Sequence, residues 1–128
     1  MTTAVRQRPK HLNLFKIRQP IPAIVSILHR ISGAVLFLFF IPFGLSALQG
    51  SLHSAESFAQ WYAAFANPIV KLILTGFLWA YMHHFCAGIR YLLLDLNKGI
   101  SLESARMSSK IVLGVSLVLT LLIATKIW

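Results

Sequence analysis

Two adjacent imidazoles, His83 and His84, stand inside the otherwise apolar run Tyr-Met-His-His-Phe-Cys-Ala-Gly-Ile-Arg-Tyr-Leu-Leu-Leu-Asp at residues 81–95. A polar side chain at membrane depth costs free energy unless it meets a partner, which makes these histidines the first candidates for chemistry. Neighbours on a helix point about 100° apart, so the two cannot face one ligand together. His84 shares a stripe with Phe77, Tyr81, Gly88, Tyr91 and Asp95, and Gly88 one turn on leaves space for a flat ligand against the helix. His83 has only Ala80 and Ala87 as close stripe neighbours, which suits helix packing or an outer hydrogen bond. Two readings of His84 stand side by side: an axial ligand to a haem iron through a neutral imidazole nitrogen, or a buried histidine hydrogen-bonded across a bundle. His29 is expected at the end of the first span, while His84 lies about 9 Å deeper than Arg90 by helix rise. No second histidine of this chain is therefore expected opposite His84, and a second axial ligand would come from another subunit.

A second constellation is Ser26-Ile-Leu-His29-Arg30-Ile-Ser-Gly33, which places Ser26, His29, Arg30 and Gly33 on one helical face. A hydroxyl, an imidazole and a guanidinium gathered at a membrane boundary could hydrogen-bond the carbonyl of a ring compound entering from the bilayer, stabilise its anion, or hold a carboxylate. The plainer reading of Arg30 is a basic flank of a membrane span. By topology the two constellations lie toward the same membrane face and could share one site.

The elements that must hold these residues are apolar helices. Of 128 residues 57% are apolar, and only 12 are Lys or Arg and three Asp or Glu. That composition excludes an ordinary soluble domain and leaves room for about three spans. The net charge of +9 sits mainly in the flanks of the apolar runs, which argues against a nucleic-acid partner. A single cysteine, Cys86, excludes an internal disulfide or a multi-cysteine metal site built by this chain alone, and reads as a packing residue. The basic N-terminal segment lacks a compact apolar core followed by a small-residue cleavage site, so an uncleaved bacterial N-terminus is expected rather than a signal or transit peptide.

Residues 31–52 carry no charge and would rise about 33 Å as a helix, with Pro42 a tolerated kink and the helix starting near Pro22. Between residues 50 and 68 Glu56 is the only charge, and Trp61, Tyr62 and Phe65 recur at helical spacing, predicting a short interfacial helix. A second span runs between Lys71 and Arg90. A polar connector then leads into a helix start at Ser101 or Ser104. The third span has an uncharged core at residues 111–125, with Lys126 snorkelling outward and Trp128 at the far interface. The predicted fold is an all-α integral membrane protein, three transmembrane helices in a bundle plus the short interfacial helix. The expected single anchor domain, residues 1–128, divides into an N-terminal segment 1–21, a first span 22–50, a connector 51–67, a second span 68–94, a connector 95–106 and a third span 107–128. Basic residues in the N-terminal segment and the 95–110 connector, against none in residues 50–68, predict a cytoplasmic N-terminus and a periplasmic C-terminus.

Arg8-Pro9 followed by His11-Leu12, the Ser26 to Gly33 run, and His84 with Gly88-Ile89-Arg90 and Asp95 together resemble the cytochrome b membrane-anchor subunit, the large anchor, of bacterial succinate dehydrogenase, respiratory complex II. The resemblance covers nearly the whole chain. It implies that His84 is an axial ligand of haem b, with the other axial histidine from a second, smaller anchor subunit. It implies that Ser26 and Arg30 bind ubiquinone, the serine at a quinone oxygen and the arginine supporting the reduced form, and that His29 and Arg30 lie near the haem propionates. Many relatives carry a histidine where this chain has Tyr91; a phenol can still bond a propionate but cannot carry protons near neutral pH as an imidazole can. Asp95 matches an acid at the cytoplasmic side. The resemblance also implies flavoprotein and iron-sulfur partners, a multi-pass location in a bacterial inner membrane, and a role in respiratory electron transfer and the tricarboxylic acid cycle, with succinate chemistry left to the partners. A purely structural anchor or assembly protein without redox role, and the anchor of a quinol:fumarate reductase, are the alternatives.

Overall fold

The computed structural model describes residues 17–128. The Arg8-Pro9 and His11-Leu12 pairs, and the basic residues Arg6, Arg8, Lys10 and Lys16, lie outside the described residues. Three helices are long and apolar enough to cross a membrane, Ile21–His53, Pro68–Asp95 and Leu102–Ile127, as the composition predicts.

The first of these is composite: α1 (Ile21–Val35), a π-helical segment (Leu36–Phe40) and α2 (Ile41–His53). Pro20 caps α1 in an extended conformation and Pro22 falls in its first turn, where the missing N–H leaves no bond unmade. Pro42 can donate no hydrogen bond, and the chain accommodates it by widening the turn just before it. The Ile41 N–H reaches back to the Leu36 carbonyl, one residue further than in an α-helix. Phe40 at the end of this turn packs against Phe77, ring centroids 5.4 Å apart.

Helix α3 (Ala55–Ala66) is the short helix expected between the first two spans. Ser54 starts it with a reciprocal capping pair: the Ser57 N–H donates to Ser54 Oγ and the Ser54 N–H to Ser57 Oγ, both at 3.1 Å. Trp61 and Phe65 pack edge-on against Phe43 of α2 at 6.2 and 6.3 Å, whereas Tyr62 stays exposed. Asn67 then caps α4 (Pro68–Asp95), accepting from the Ile69 N–H at 2.9 Å.

Helix α4 ends in a Schellman turn. Lys98 N–H bonds the Leu93 carbonyl and Asn97 N–H the Leu94 carbonyl, both at 2.9 Å, with Asn97 in the left-handed region at φ 56°. Gly99 at φ 72° continues the reversal, and Ser101 caps α5 (Leu102–Ile127) by accepting from the Ser104 N–H at 3.2 Å. The third long helix thus starts at Leu102, its first turn being the polar end of the connector. At its other end the Trp128 indole N–H donates to Thr75 Oγ1 at 3.2 Å, and Lys71 Nζ lies 5.9 Å from the Trp128 ring.

The helices meet over small residues. Val25, Ala87 and Val112, one each from α1, α4 and α5, form the buried core, with Cys86 packed beside it. On α5 the buried Ser109, Ser116 and Thr120 return their hydroxyls to the carbonyls of Ala105, Leu113 and Ser116. No hydroxyl is left unpaired there, and the backbones can approach closely. His83 is fully buried, and neither ring nitrogen has a hydrogen-bond partner among the described residues. Large apolar side chains such as Phe37, Leu72 and Leu121 instead face outward, the distribution expected when the surrounding solvent is hydrocarbon.

Candidate functional site

Helices α1 and α4 bring His84 against the backbone of α1. Its Nδ1 lies 3.0 Å from the His29 carbonyl oxygen, which can only accept, so Nδ1 carries the ring proton. Ser32 Oγ donates to the same carbonyl at 2.9 Å and sits 3.3 Å from Nδ1. The other nitrogen, Nε2, makes no hydrogen bond among the described residues and keeps its lone pair. This is the tautomer and orientation that metal-ligating histidines adopt, one nitrogen tied to a carbonyl and the other free for the metal.

The surface that receives the ring is Gly33. A Cβ placed there would approach His84 Cε1 to 2.8 Å and Nδ1 to 3.2 Å, so only glycine lets the imidazole lie this close to α1. The glycine that shapes the pocket is therefore Gly33 more than Gly88, where a Cβ would meet the His29 Nε2 at an ordinary 3.8 Å. The gap expected in front of Gly88 holds the His29 ring.

The expectation that no second histidine of this chain stands opposite His84 is corrected. The His29 and His84 rings stack, centroids 4.2 Å apart and planes 12° from parallel. The helix start is not the reason, since α1 begins at Ile21, one residue from the expected Pro22; it is the way α1 lies against α4 that sets His29, about 12 Å along α1, level with His84. Stacked rings present faces, not nitrogens, to each other, so this arrangement does not set two axial ligands on one iron. Tyr91 continues the row, its ring 5.1 Å from His29. Its hydroxyl is buried and has no hydrogen-bond partner among the described residues. Arg90 lies over the Tyr91 ring at 5.3 Å.

Ser26 and Arg30 come together as the spacing predicts: Arg30 Nη2 donates to Ser26 Oγ at 3.0 Å and its Nε to the Ser26 carbonyl at 3.3 Å. The four-residue face nevertheless divides. His29 and Gly33 turn to α4, whereas Arg30 is exposed on the outer side. The stripe read through His84 divides as well, with Phe77 facing the π segment and Tyr81 and Asp95 exposed. Among the described residues no group of three or more His, Cys, Asp or Glu could hold a bare metal ion. A haem iron, already held by its porphyrin, needs only one side chain from a given chain, and His84 fits that demand. The features hardest to read beforehand are Gly33 and the His29 carbonyl, because nothing in residue type marks a backbone oxygen as a ring's partner.

Fold and site together define an all-helical integral membrane subunit with a histidine pocket between its first two long helices. The chain belongs to the succinate dehydrogenase/fumarate reductase transmembrane subunit family, whose profile matches residues 4–123, and so is a membrane anchor of complex II. It is 39% identical over 123 residues to the succinate dehydrogenase cytochrome b556 subunit of Coxiella burnetii, covering 95% of this chain and 98% of that protein. It is similar at 33% identity to the cytochrome b556 subunit of Rickettsia felis, covering 92% and 90% of the two chains. The corresponding subunit of Paracoccus denitrificans is 35% identical, with 90% and 88% covered.

Proposed function

We propose that this chain binds haem b through His84 Nε2 and shapes, with its partners, the site where electrons from succinate reduce ubiquinone. The observation that carries the reading is the His84 ring itself: Nδ1 held by the His29 carbonyl at 3.0 Å, Nε2 left free. The relatives' printed names, cytochrome b556 subunits of succinate dehydrogenase, agree with it and favour succinate oxidation over fumarate reduction. When bound, the haem supplies a one-electron redox centre. This chain's residues hold it: His84 ligates, the His29 carbonyl and Ser32 fix the ring, and the Tyr91 hydroxyl and Arg30 are donors for the propionates. A second anchor subunit supplies the other axial histidine.

Ser26 and Arg30 form the quinone-facing pair. The Arg30 guanidinium already orients the Ser26 hydroxyl, and an exposed cation on a membrane helix is costly unless partner subunits enclose it. Enclosure by an iron-sulfur subunit and a second anchor subunit would place the pair at a shared site, where they hydrogen-bond a quinone oxygen and favour its reduced, more negative form. The flavoprotein carries the succinate chemistry elsewhere. Arg18, Arg30, Arg90, Lys98, Arg106 and Lys110 fall in or toward the same halves of the three long helices and their connecting turn, against Lys71 and Lys126 in the opposite halves, which supports an N-terminus on the cytoplasmic side of a bacterial inner membrane.

A dithionite-reduced minus oxidised absorption spectrum of the purified complex, with quinone reductase activity measured on the same preparation, tests the reading. A b-type band and quinone reduction are expected; a complex that oxidises succinate with an artificial acceptor but lacks the band refutes the haem assignment.

A further inference from the structure

Arg90 is the most buried charge among the described residues at 7% exposure, and its hydrogen bond is to a neutral hydroxyl, Nε donating to Ser108 Oγ at 3.0 Å. A guanidinium withdrawn from water and matched to no anion is costly, and such a group marks a place where an anion belongs. It lines a groove of about 330 Å³ between α4 and α5, within the size range of small-molecule sites, about 300–1,000 Å³. Its polar end runs from Lys98 at the turn to Arg90 and Ser108, Arg90 standing about two helical turns before Lys98 with Leu93 and Leu94 between them, and no carboxylate lines it. The Schellman turn at the end of α4 pins the Lys98 backbone there, through its N–H bond to the Leu93 carbonyl at 2.9 Å.

From that end the groove runs along the helices. Its walls are Ile89 and Leu93 of α4 facing Ile111 and Val112 of α5, and it reaches back to Cys86. The distance from Asp95 to Cys86 is about 14 Å of helix, from the basic turn toward the hydrocarbon. The slot thus carries its two cations in its outer half, Lys98 at the turn and Arg90 further in, and is apolar toward Cys86 and Val112.

We propose that this groove is a binding site for an anionic phospholipid, the phosphate held between Lys98 and Arg90 with the Ser108 hydroxyl, and an acyl chain laid inward along Ile89, Cys86, Ile111 and Val112. A guanidinium fork matches a phosphate's paired oxygens, and basic residues at the surface attract anionic lipid. A carboxylate from a protein partner would fill the polar end alone and leave the apolar trough unused, which is why the lipid is the occupant. Neither His84 nor the Ser26–Arg30 pair lines the groove; Arg90 does lie over the Tyr91 ring, so the Lys98 substitution, remote from that ring, is the one that separates lipid binding from the haem assignment.

The experiment uses the purified complex in phosphatidylcholine nanodiscs doped with a photoreactive phosphatidylglycerol, and in parallel with the matching photoreactive phosphatidylcholine. Cross-links mapped by mass spectrometry are expected within residues 86–112, favouring the phosphatidylglycerol probe by about fivefold or more, and unlabelled phosphatidylglycerol but not inorganic phosphate should compete. Lys98→Gln, at an exposed turn, should lower that labelling by about fivefold with helicity and assembly unchanged, and Arg90→Lys should lower it by removing the fork. Equal labelling by both probes overturns the proposal, as does labelling insensitive to both substitutions. Labelling that occurs in the isolated chain but vanishes in the assembled complex also overturns it, and assigns the polar end to a partner's carboxylate.

Discussion

Replacing Gly33 by alanine isolates the pocket from the ligand itself. The added Cβ would stand 2.8 Å from His84 Cε1 and 3.2 Å from Nδ1, where ordinary contact begins at about 3.4 Å. The neighbour is a ring tied at Nδ1 to a backbone carbonyl, not the free end of a flexible chain, so it must move by roughly half an ångström or tilt. Overpacking of this kind costs about 1–3 kcal/mol, and the helix-propensity gain of alanine over glycine offsets about 1 kcal/mol of it. Net stability therefore changes by only about 0–2 kcal/mol, and the folded complex should survive. The 3.0 Å bond from Nδ1 to the His29 carbonyl is what the shift disturbs, and loss of such an orienting partner typically lowers metal affinity by about 10–100-fold. The assay is haem per complex by pyridine haemochrome, before and after dialysis against apomyoglobin as a haem trap. Gly114→Ala is the control, because no atom lies within 4 Å of a Cβ built there. Gly33→Ala should lose haem to the trap while Gly114→Ala retains it; equal retention by both refutes the packing of His84 on Gly33.

Ser26→Ala and Arg30→Leu should each reduce kcat/KM for quinone by about 10- to 150-fold, the worth of a hydrogen bond to a charged group. Because Arg30 Nη2 donates to Ser26 Oγ, the double variant should lose less than the product of the two single losses; normal quinone kinetics in both single variants would move the site elsewhere. His83→Leu removes two buried nitrogens that have no hydrogen-bond partner among the described residues, so the thermal midpoint of the complex should hold or rise, since an orphaned polar group costs about 1–3 kcal/mol. A clear fall would mean that His83 bonds a group outside this chain.

The helices were legible because membrane spans depend on long apolar runs, and a helix start at Ser101 or Ser104 was legible because a serine before a helical run is a strong local signal; the cap is Ser101. His84 stands out in the sequence as an imidazole in an apolar run, but the stripe read through it divides in the structure. What escaped depends on how two helices lie against each other. The helix start expected near Pro22 is within one residue of Ile21, but the depth of His29 relative to His84 depends on how α1 and α4 lie against each other, which residue spacing on either helix does not give. Gly33 outweighs Gly88 because the close approach is made by α1 to the His84 ring, a fact of interhelical distance. Pro42 signalled a disturbance without its form, and the π segment places the widening at residues 36–40, before the proline. The buried Tyr91 hydroxyl and the Arg90 groove were invisible for the same reason: burial and pairing on a membrane helix are set by its neighbours.

The central claim is that His84 ligates iron, and the most direct measurement is chemical rescue of a His84→Gly complex. The variant should lack the normal low-spin b-type spectrum while still oxidising succinate with an artificial acceptor. Millimolar imidazole should then restore the low-spin band by occupying the space the side chain left. A His84→Gly complex with an unaltered haem spectrum, or an altered one indifferent to imidazole, would contradict the assignment.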